Sequence, residues 1–380
     1  MDNIAEALAK PGDSSQVVTE TIASLARLGL LRNSPTSFDE DVVAALAHFQ
    51  QSRGLSATGV LTRSTYRALE EARWRLGDRN LSVTPGALMR GDDVTTLQQR
   101  LTEMGFDCGR IDGLYGALTE SAVKDFQRQV GLASDGIVGV GTYKALIRLV
   151  GTVKGGAPAN LRDEYLVRRR GPALNGKVIV LDPSFGGEAK GCEAFGLNEA
   201  QIVFDVAQRL EGRLSALGVR TFLTRGKETN PSELDRIDFA NRSGADLVIS
   251  IHLEQQKNSI ASGVATYYYG VDAQEIHSVV GEKLATLVQR EISARTDLVN
   301  CRTHARTWEL LRLTKAPAIR VDLGYLTNES DATKLARAAF RDTLAEALVV
   351  AIQRLYLAVE EDAATGTLSI ADLRKAGLRK

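Results

Sequence analysis

The stretch Val178-Ile179-Val180-Leu181-Asp182-Pro183-Ser184-Phe185-Gly186-Gly187 decides how the C-terminal half of this chain is read. Four apolar, mostly β-branched residues run straight into a turn rich in proline and glycine, the pattern of a buried strand ending in a loop. Comparable apolar runs follow at residues 219–223, 247–251, 264–268 and 319–323. Residues with helical spacing fill 197–217, 231–241, 275–296 and 331–357. This alternation predicts an α/β sheet with helices on both faces. In such folds the working side chains sit in loops at strand ends.

The half of the chain before that stretch is an internal duplication. Ala45-Leu46-Ala47-His48-Phe49-Gln50 followed by Gly54-Leu55 returns, 77 residues later, as Ala122-Val123-Lys124-Asp125-Phe126-Gln127 followed by Gly131-Leu132. The same offset relates Gly59 to Gly136, Thr65 to Thr142, Tyr66 to Tyr143 and Leu69 to Leu146. Each copy reads as three short amphipathic helices joined by turns, with Asp112-Gly113 and Asp135-Gly136 supplying turn geometry. The repeated Phe, Leu and Gly residues are expected to be core and turn positions rather than ligand contacts. The first copy has Asn33-Ser34-Pro35-Thr36-Ser37-Phe38 where the second has its Asp-Gly turn. Residues 151–175, with Gly155-Gly156, Pro158 and Arg168-Arg169-Arg170, read as a linker.

Lys plus Arg and Asp plus Glu both number 47, so nothing in the balance attracts nucleic acid or anionic membrane in general. Met1 to Asp13 lacks a basic segment followed by an apolar one, so no secretory signal is expected there. Cys108, Cys192 and Cys301 are odd in number and far apart, which does not make a disulfide framework and fits a reducing cytoplasm.

Four motifs of the C-terminal half carry chemistry-bearing residues. They are the Asp182 loop, Gly196-Leu197-Asn198-Glu199, Asp246-Leu247-Val248-Ile249-Ser250-Ile251-His252, and Arg320-Val321-Asp322-Leu323-Gly324-Tyr325. In this order they resemble zinc-dependent N-acetylmuramoyl-L-alanine amidases of the amidase_3 family. The two N-terminal copies resemble the peptidoglycan-binding domain family 1. The resemblance implies a multidomain fold: two small all-α three-helix domains, 1–75 (degenerate) and 84–150, then an α/β amidase-like domain at 176–359 with a central mixed sheet. It also implies Glu199 and His252 as two zinc ligands, and places Asp322 where the family has a catalytic glutamate. The third ligand position is Phe185, which has no lone pair for a metal.

Amide hydrolysis by this route needs a zinc with three protein ligands and one open position, and a carboxylate that moves the proton of the attacking water. Two ligands do not hold zinc as three do. Asp322 is one methylene shorter than glutamate, which withdraws the carboxylate by about 1.5 Å. Ser184 further replaces a glycine of the family turn. A substitute ligand from Cys192, in the same loop region, is the one rescue the sequence offers. Without metal, Glu199 reads as an acid at a helix N-terminus and His252 as a hydrogen-bonded histidine. The expectation is an inactive amidase homologue with no cofactor, or zinc only if a residual site binds it. The alternatives are a working zinc amidase and a passive binder of muropeptides.

Residues 360–380 follow the last helix of the domain and need another purpose. Thr365 and Thr367 stand ahead of Ser369-x-x-Asp372, a helix-start pattern, with Ile370 and Leu373 as a small apolar anchor. The whole layout resembles a cytoplasmic, regulatory branch of the amidase family in mycobacteria and corynebacteria. That resemblance implies phosphorylation of the tail by a Ser/Thr protein kinase and stimulation of the UDP-N-acetylglucosamine enolpyruvyl transferase. A forkhead-associated domain protein and the lipid II flippase are the other implied partners, through which the chain would be recruited to the membrane.

Overall fold

The computed structural model describes residues 7–33, 35–84, 86, 88–150, 173–271 and 276–356. The tail positions Thr365, Thr367, Ile370 and Leu373, and most of the linker, lie outside the described residues. Two compact units emerge, Met1–Arg162 with Val271–Ile276, and Asp163–Gly270 with His277–Lys380.

The first unit holds both repeats, each with its own core. Helices α1 (Gln16–Arg27), α2 (Glu40–Ser52) and α3 (Arg63–Glu71) surround Leu25, Phe38, Leu46 and Phe49. Helices α4 (Asp92–Glu103), α5 (Ala117–Gln129) and α6 (Val140–Val150) surround Leu97, Leu101, Tyr115 and Phe126. Phe49 and Phe126 are both buried, as their repetition in the sequence predicts. Ion pairs join the repeats: Arg53 grips Asp92 at 2.5 Å, and Arg90 pairs with Glu71 at 3.5 Å.

A buried glutamine fastens each turn to its helix. Gln127 donates to Asp135 Oδ1, the Ile137 carbonyl and Thr142 Oγ1 at 2.7–3.0 Å, and accepts from the Gly136 N–H. Gln50 does the same in the first repeat with the Val60 carbonyl, Thr65 Oγ1 and the Gly59 N–H. A second staple, Gln98, holds Asp112, Gly113, Leu114 and Thr119 in the second repeat only. One repeat earlier that position is Thr21, whose hydroxyl turns back to the Val17 carbonyl. The missing Asp-Gly turn of the first repeat and the missing glutamine are therefore one loss. A turn that no glutamine holds has no need of aspartate and glycine at those positions.

The second unit is a mixed sheet. Strands β1 (Val178–Pro183), β4 (Arg220–Leu223), β5 (Leu247–Glu254) and β9 (Ala318–Tyr325) run parallel in the order β4-β1-β5-β9. Strand β6 (Val264–Val271) pairs antiparallel with β9 and parallel with β8 (Asn300–Arg306), and β7 (Ile276–His277) is at the edge. A two-residue hairpin, β2 (Glu193–Ala194) and β3 (Leu197–Asn198), stands apart. Helices α7 (Glu199–Ala216), α9 (Val279–Arg295) and α12 (Ala338–Tyr356) cover one face. Under them Leu181, Ile249, Ile251, Val321 and Leu323 join the main core.

The strand period of two sends the residues between these to the other face. There the register aligns Asp182 with Ser250, Ser250 with Arg320, Arg320 with Tyr267 and Tyr267 with His304. Asp322 lies opposite His252. A polar row thus crosses five strands. Helix α8 (Glu233–Arg242) reaches this row through Arg236, which binds Asp182. The segment leading into α10 (Glu309–Leu313) reaches it through Trp308, whose ring packs against Tyr267.

The sequence reading differs from the structure in four places. Helix α7 begins at Glu199, because Leu197 and Asn198 pair as β3 and Asn198 caps the helix by accepting from the Gln201 N–H. The predicted helix over 275–296 is shorter, since Ile276 and His277 form β7 and Ser278 caps α9. The long last helix is two, α11 (Glu329–Ala336) and α12, separated by Arg337 in an extended conformation. Strand β8 went unread because Asn-Cys-Arg-Thr-His-Ala-Arg has no apolar alternation. Among the described residues, no helix is long and apolar enough to cross a membrane.

Candidate functional site

The Asp182 loop is held by two buried arginines. Arg225 donates to the Pro183 and Ser184 carbonyls, and Arg236 to those of Pro183 and Phe185. Three successive carbonyls are thereby fixed. Arg236 also pairs with Asp182 at 2.8 Å, and that carboxylate accepts from Thr224 and Ser250 hydroxyls at 2.6 Å each. Burial alone would raise the Asp182 pKa, but Arg236 and the hydroxyl donors outweigh it and hold the group below its ordinary value. The clamp is needed because Phe185 has φ of 56°, in a left-handed region that costs a residue with a Cβ about 1–2 kcal/mol. The phenylalanine ring is 40% exposed, and its edge crowds Gly191, where a Cβ would lie 2.6 Å from it.

Glu199 opens α7 with its carboxylate turned inward. Oε1 accepts from Ser184 Oγ at 2.6 Å and the Leu253 N–H at 3.0 Å; Oε2 accepts from the Cys192 N–H at 3.2 Å. His252 approaches with Nδ1 3.6 Å from Oε1, and its Nε2 meets Ser250 Oγ at 2.9 Å. Burial pushes Glu199 up, yet His252, Ser184 and the Leu253 N–H bring it below its ordinary value. Burial, then the Arg320 charge, lower His252 and favour its neutral form. The structure therefore does bring Glu199, His252 and Phe185 together, and gives each of the first two its own protein hydrogen-bond partners.

Asp322 is buried beside them on β9. Its Oδ1 accepts from Arg320 Nε at 2.7 Å, and its Oδ2 has no partner among the described residues. Arg320 in turn lies 4.5 Å over the Trp308 ring. Cys192, the one substitute ligand the sequence offered, points into the apolar core; burial pushes its thiol to about 11, against thiolate formation.

Zinc in the three-ligand form does not fit these residues. Among the described residues, no three His, Cys, Asp or Glu side chains converge on a common point. Both carboxylate oxygens of Glu199 already take protein donors. Ser184 was noted from the sequence only as a departure from the family turn, and Arg320 and Glu254, whose charges act on Asp322 and His252 or on each other, were not singled out as parts of this site. The period-two pattern Ser250-x-His252-x-Glu254 beside Arg320-x-Asp322 is the signal that could have found the last two.

The chain matches the family model described as N-acetylmuramoyl-L-alanine amidase over residues 179–354, and the putative peptidoglycan binding domain over 15–69 and 90–146. It is 44% identical over 377 residues to N-acetylmuramoyl-L-alanine amidase CwlM of Mycobacterium tuberculosis, covering 95% of this chain and 93% of that protein. The chain belongs to the N-acetylmuramoyl-L-alanine amidase family. Within this family it is also 30% identical over 173 residues to the amidase LytC of Bacillus subtilis, covering 46% of this chain and 34% of LytC. Among solved structures, the amidase from Clostridium difficile 630 is 31% identical with a TM-score of 0.44, covering 47% of this chain and 95% of that one. AmiC2 of Nostoc punctiforme is 28% identical with a TM-score of 0.43, covering 47% of this chain and 96% of that one.

Proposed function

We propose that this amidase-family chain is a non-hydrolytic homologue that regulates the synthesis of peptidoglycan precursors. The bond from Ser184 to Glu199 carries the reading: a hydroxyl and two backbone N–H groups take the carboxylate that a zinc would need. Phe185 and the Arg320-bound Asp322 support it. The activity then lies in binding. Phosphorylation of Thr365 and Thr367 by a Ser/Thr kinase adds about −1.5 to −2 charge each, which a partner's arginines can read. Ile370 and Leu373 supply the apolar anchor, and the enolpyruvyl transferase is the target. A forkhead-associated protein and the lipid II flippase are further partners, and a cytoplasmic setting goes with all four.

The name of the M. tuberculosis relative favours a rival reading, a working amidase. The test is incubation of the purified full chain with muropeptides, with and without zinc. No release of stem peptide is expected, and release would establish the rival. In parallel, the phosphorylated chain is expected to stimulate the transferase while the unphosphorylated chain does not. Equal rates with both would remove the phospho-switch.

A further inference from the structure

Beyond the Glu199–His252 pair, the polar row ends in a nest with unmet hydrogen-bonding capacity. Trp308 packs against Tyr267 with centroids 4.8 Å apart and the rings tilted by 56°. Arg306 lies 5.5 Å over the Tyr267 ring and 6.0 Å from that of Trp308, and Arg320 lies 4.5 Å over the latter. Two buried polar atoms of this nest lack a partner among the described residues. Trp308 Nε1 is a buried donor with no acceptor. Asp322 Oδ2 is a buried acceptor with no donor, on a residue only 1% exposed. Beside them, half-buried Arg306 donates to the Ala305 carbonyl and has no carboxylate within ion-pair distance among the described residues.

Orphaned buried polar atoms cost about 1–3 kcal/mol each, so two in one nest call for an outside partner. Their chemistry specifies it. Arg306 and the Trp308 indole N–H offer two donors, one cationic, to an anion that can take both, as a carboxylate does. On the far side of Arg320, which contacts both the Trp308 ring and Asp322 Oδ1, Asp322 offers its second carboxylate oxygen to a donor. A simple anion meets repulsion from Asp322, and a simple cation meets repulsion from Arg306 and Arg320. A molecule with both charges on neighbouring atoms satisfies the nest.

We propose that Arg306, Trp308 and Asp322 form a binding site for an unblocked amino-acid centre, carboxylate toward Arg306 and Trp308, ammonium toward Asp322. The proposal deepens the reading of this domain as a non-hydrolytic binder and rests on it. A domain that reads such a centre would respond to free amino acids rather than to singly charged peptide termini or to the glycan.

The chain has two tryptophans, Trp74 and Trp308, so its ¹⁵N indole spectrum has two signals, and Trp308→Phe assigns them. The full chain is titrated with alanine of either hand, N-acetylalanine and alaninamide. Alanine of one or both hands is expected to shift the Trp308 signal and leave that of Trp74 in place. N-acetylalanine lacks the ammonium and alaninamide the carboxylate, and each should bind at least about tenfold more weakly. Arg306→Gln should weaken alanine binding about tenfold or more, and Arg306→Lys less. Equal binding of the three compounds, or a Trp308 signal that stays fixed at about 50 mM ligand, overturns the proposal. An unchanged affinity in Arg306→Gln, with the two indole signals of the folded protein retained, also overturns it. Stem-peptide release from muropeptides would defeat the non-hydrolytic reading while leaving the alanine titration intact; a flat titration without hydrolysis defeats only this proposal.

Discussion

Ser184 and Phe185 are adjacent, and in the proposed reading the two together replace a metal site of the family by a hydrogen-bonded one. Phe185 withdraws a ligand; Ser184 supplies Glu199 with the partner that the ligand set no longer provides. The two changes should therefore act as a pair. Phe185→His alone leaves the Ser184 bond in place and should give weak zinc binding in a competitive chelator titration. Ser184→Gly combined with Phe185→His should bind at least about tenfold more tightly, since the loop is already clamped by Arg225 and Arg236. Hydrolysis should stay low in both, because Asp322 remains tied to Arg320. Neighbouring Glu254 gives a pH signature. Burial first, and the Asp322 charge second, push its carboxyl up to about 7. A carboxyl raised above its unfolded value of about 4.3 contributes stability that is full below that value and is lost as pH rises through about 7. Melting temperature should accordingly fall between pH 5 and 8 in the native chain, and Glu254→Gln should flatten that fall. The sequence made Phe185, Glu199, His252 and Asp322 legible, because each stands in an ordered motif. It did not reveal Ser184 as a donor or Arg320 as a clamp, since both contacts join residues on different strands or loops, or depend on side-chain direction along one strand.

Elements were legible where apolar periodicity was strong and illegible where polar groups did the fixing. The core strands β1, β5, β6 and β9 and helices α7, α8 and α9 stand close to where alternation placed them. Strand β8 escaped because its residues face the polar row and a half-exposed edge. The same physics makes the N-terminal turns depend on glutamines. Gln127→Ala leaves the Gly136 N–H and the Ile137 carbonyl without their partner and should destabilise the second repeat by about 2–4 kcal/mol. Hydrogen exchange at α5 and α6 would show it, with the second unit's amides unaffected. In the other unit, Arg236→Ala strands the buried Asp182 carboxylate and frees the Phe185 carbonyl. A loss of about 3–5 kcal/mol is expected in chemical denaturation of that unit.

At the scale of the whole molecule, the chain joins two peptidoglycan-binding repeats to an amidase domain whose site is occupied by its own side chains. The duplication was plain in the sequence, since Phe49-Gln50 and Phe126-Gln127 mark both core and staple. The regulatory role proposed for the tail belongs to this scale, because the described fold ends before it. Replacing Thr365 and Thr367 by alanine should abolish stimulation of the enolpyruvyl transferase and leave the melting temperature nearly unchanged; a truncated chain that still stimulates would place the active surface on the folded domains. The central claim, that protein donors have taken the place of a metal, is tested most directly by measuring zinc in the full chain after equilibration with buffered free zinc. The account predicts far less than one zinc per chain under conditions where the Ser184→Gly, Phe185→His double variant takes up one. A native chain that binds one zinc per molecule, and loses it on Glu199→Gln or His252→Ala, would contradict it.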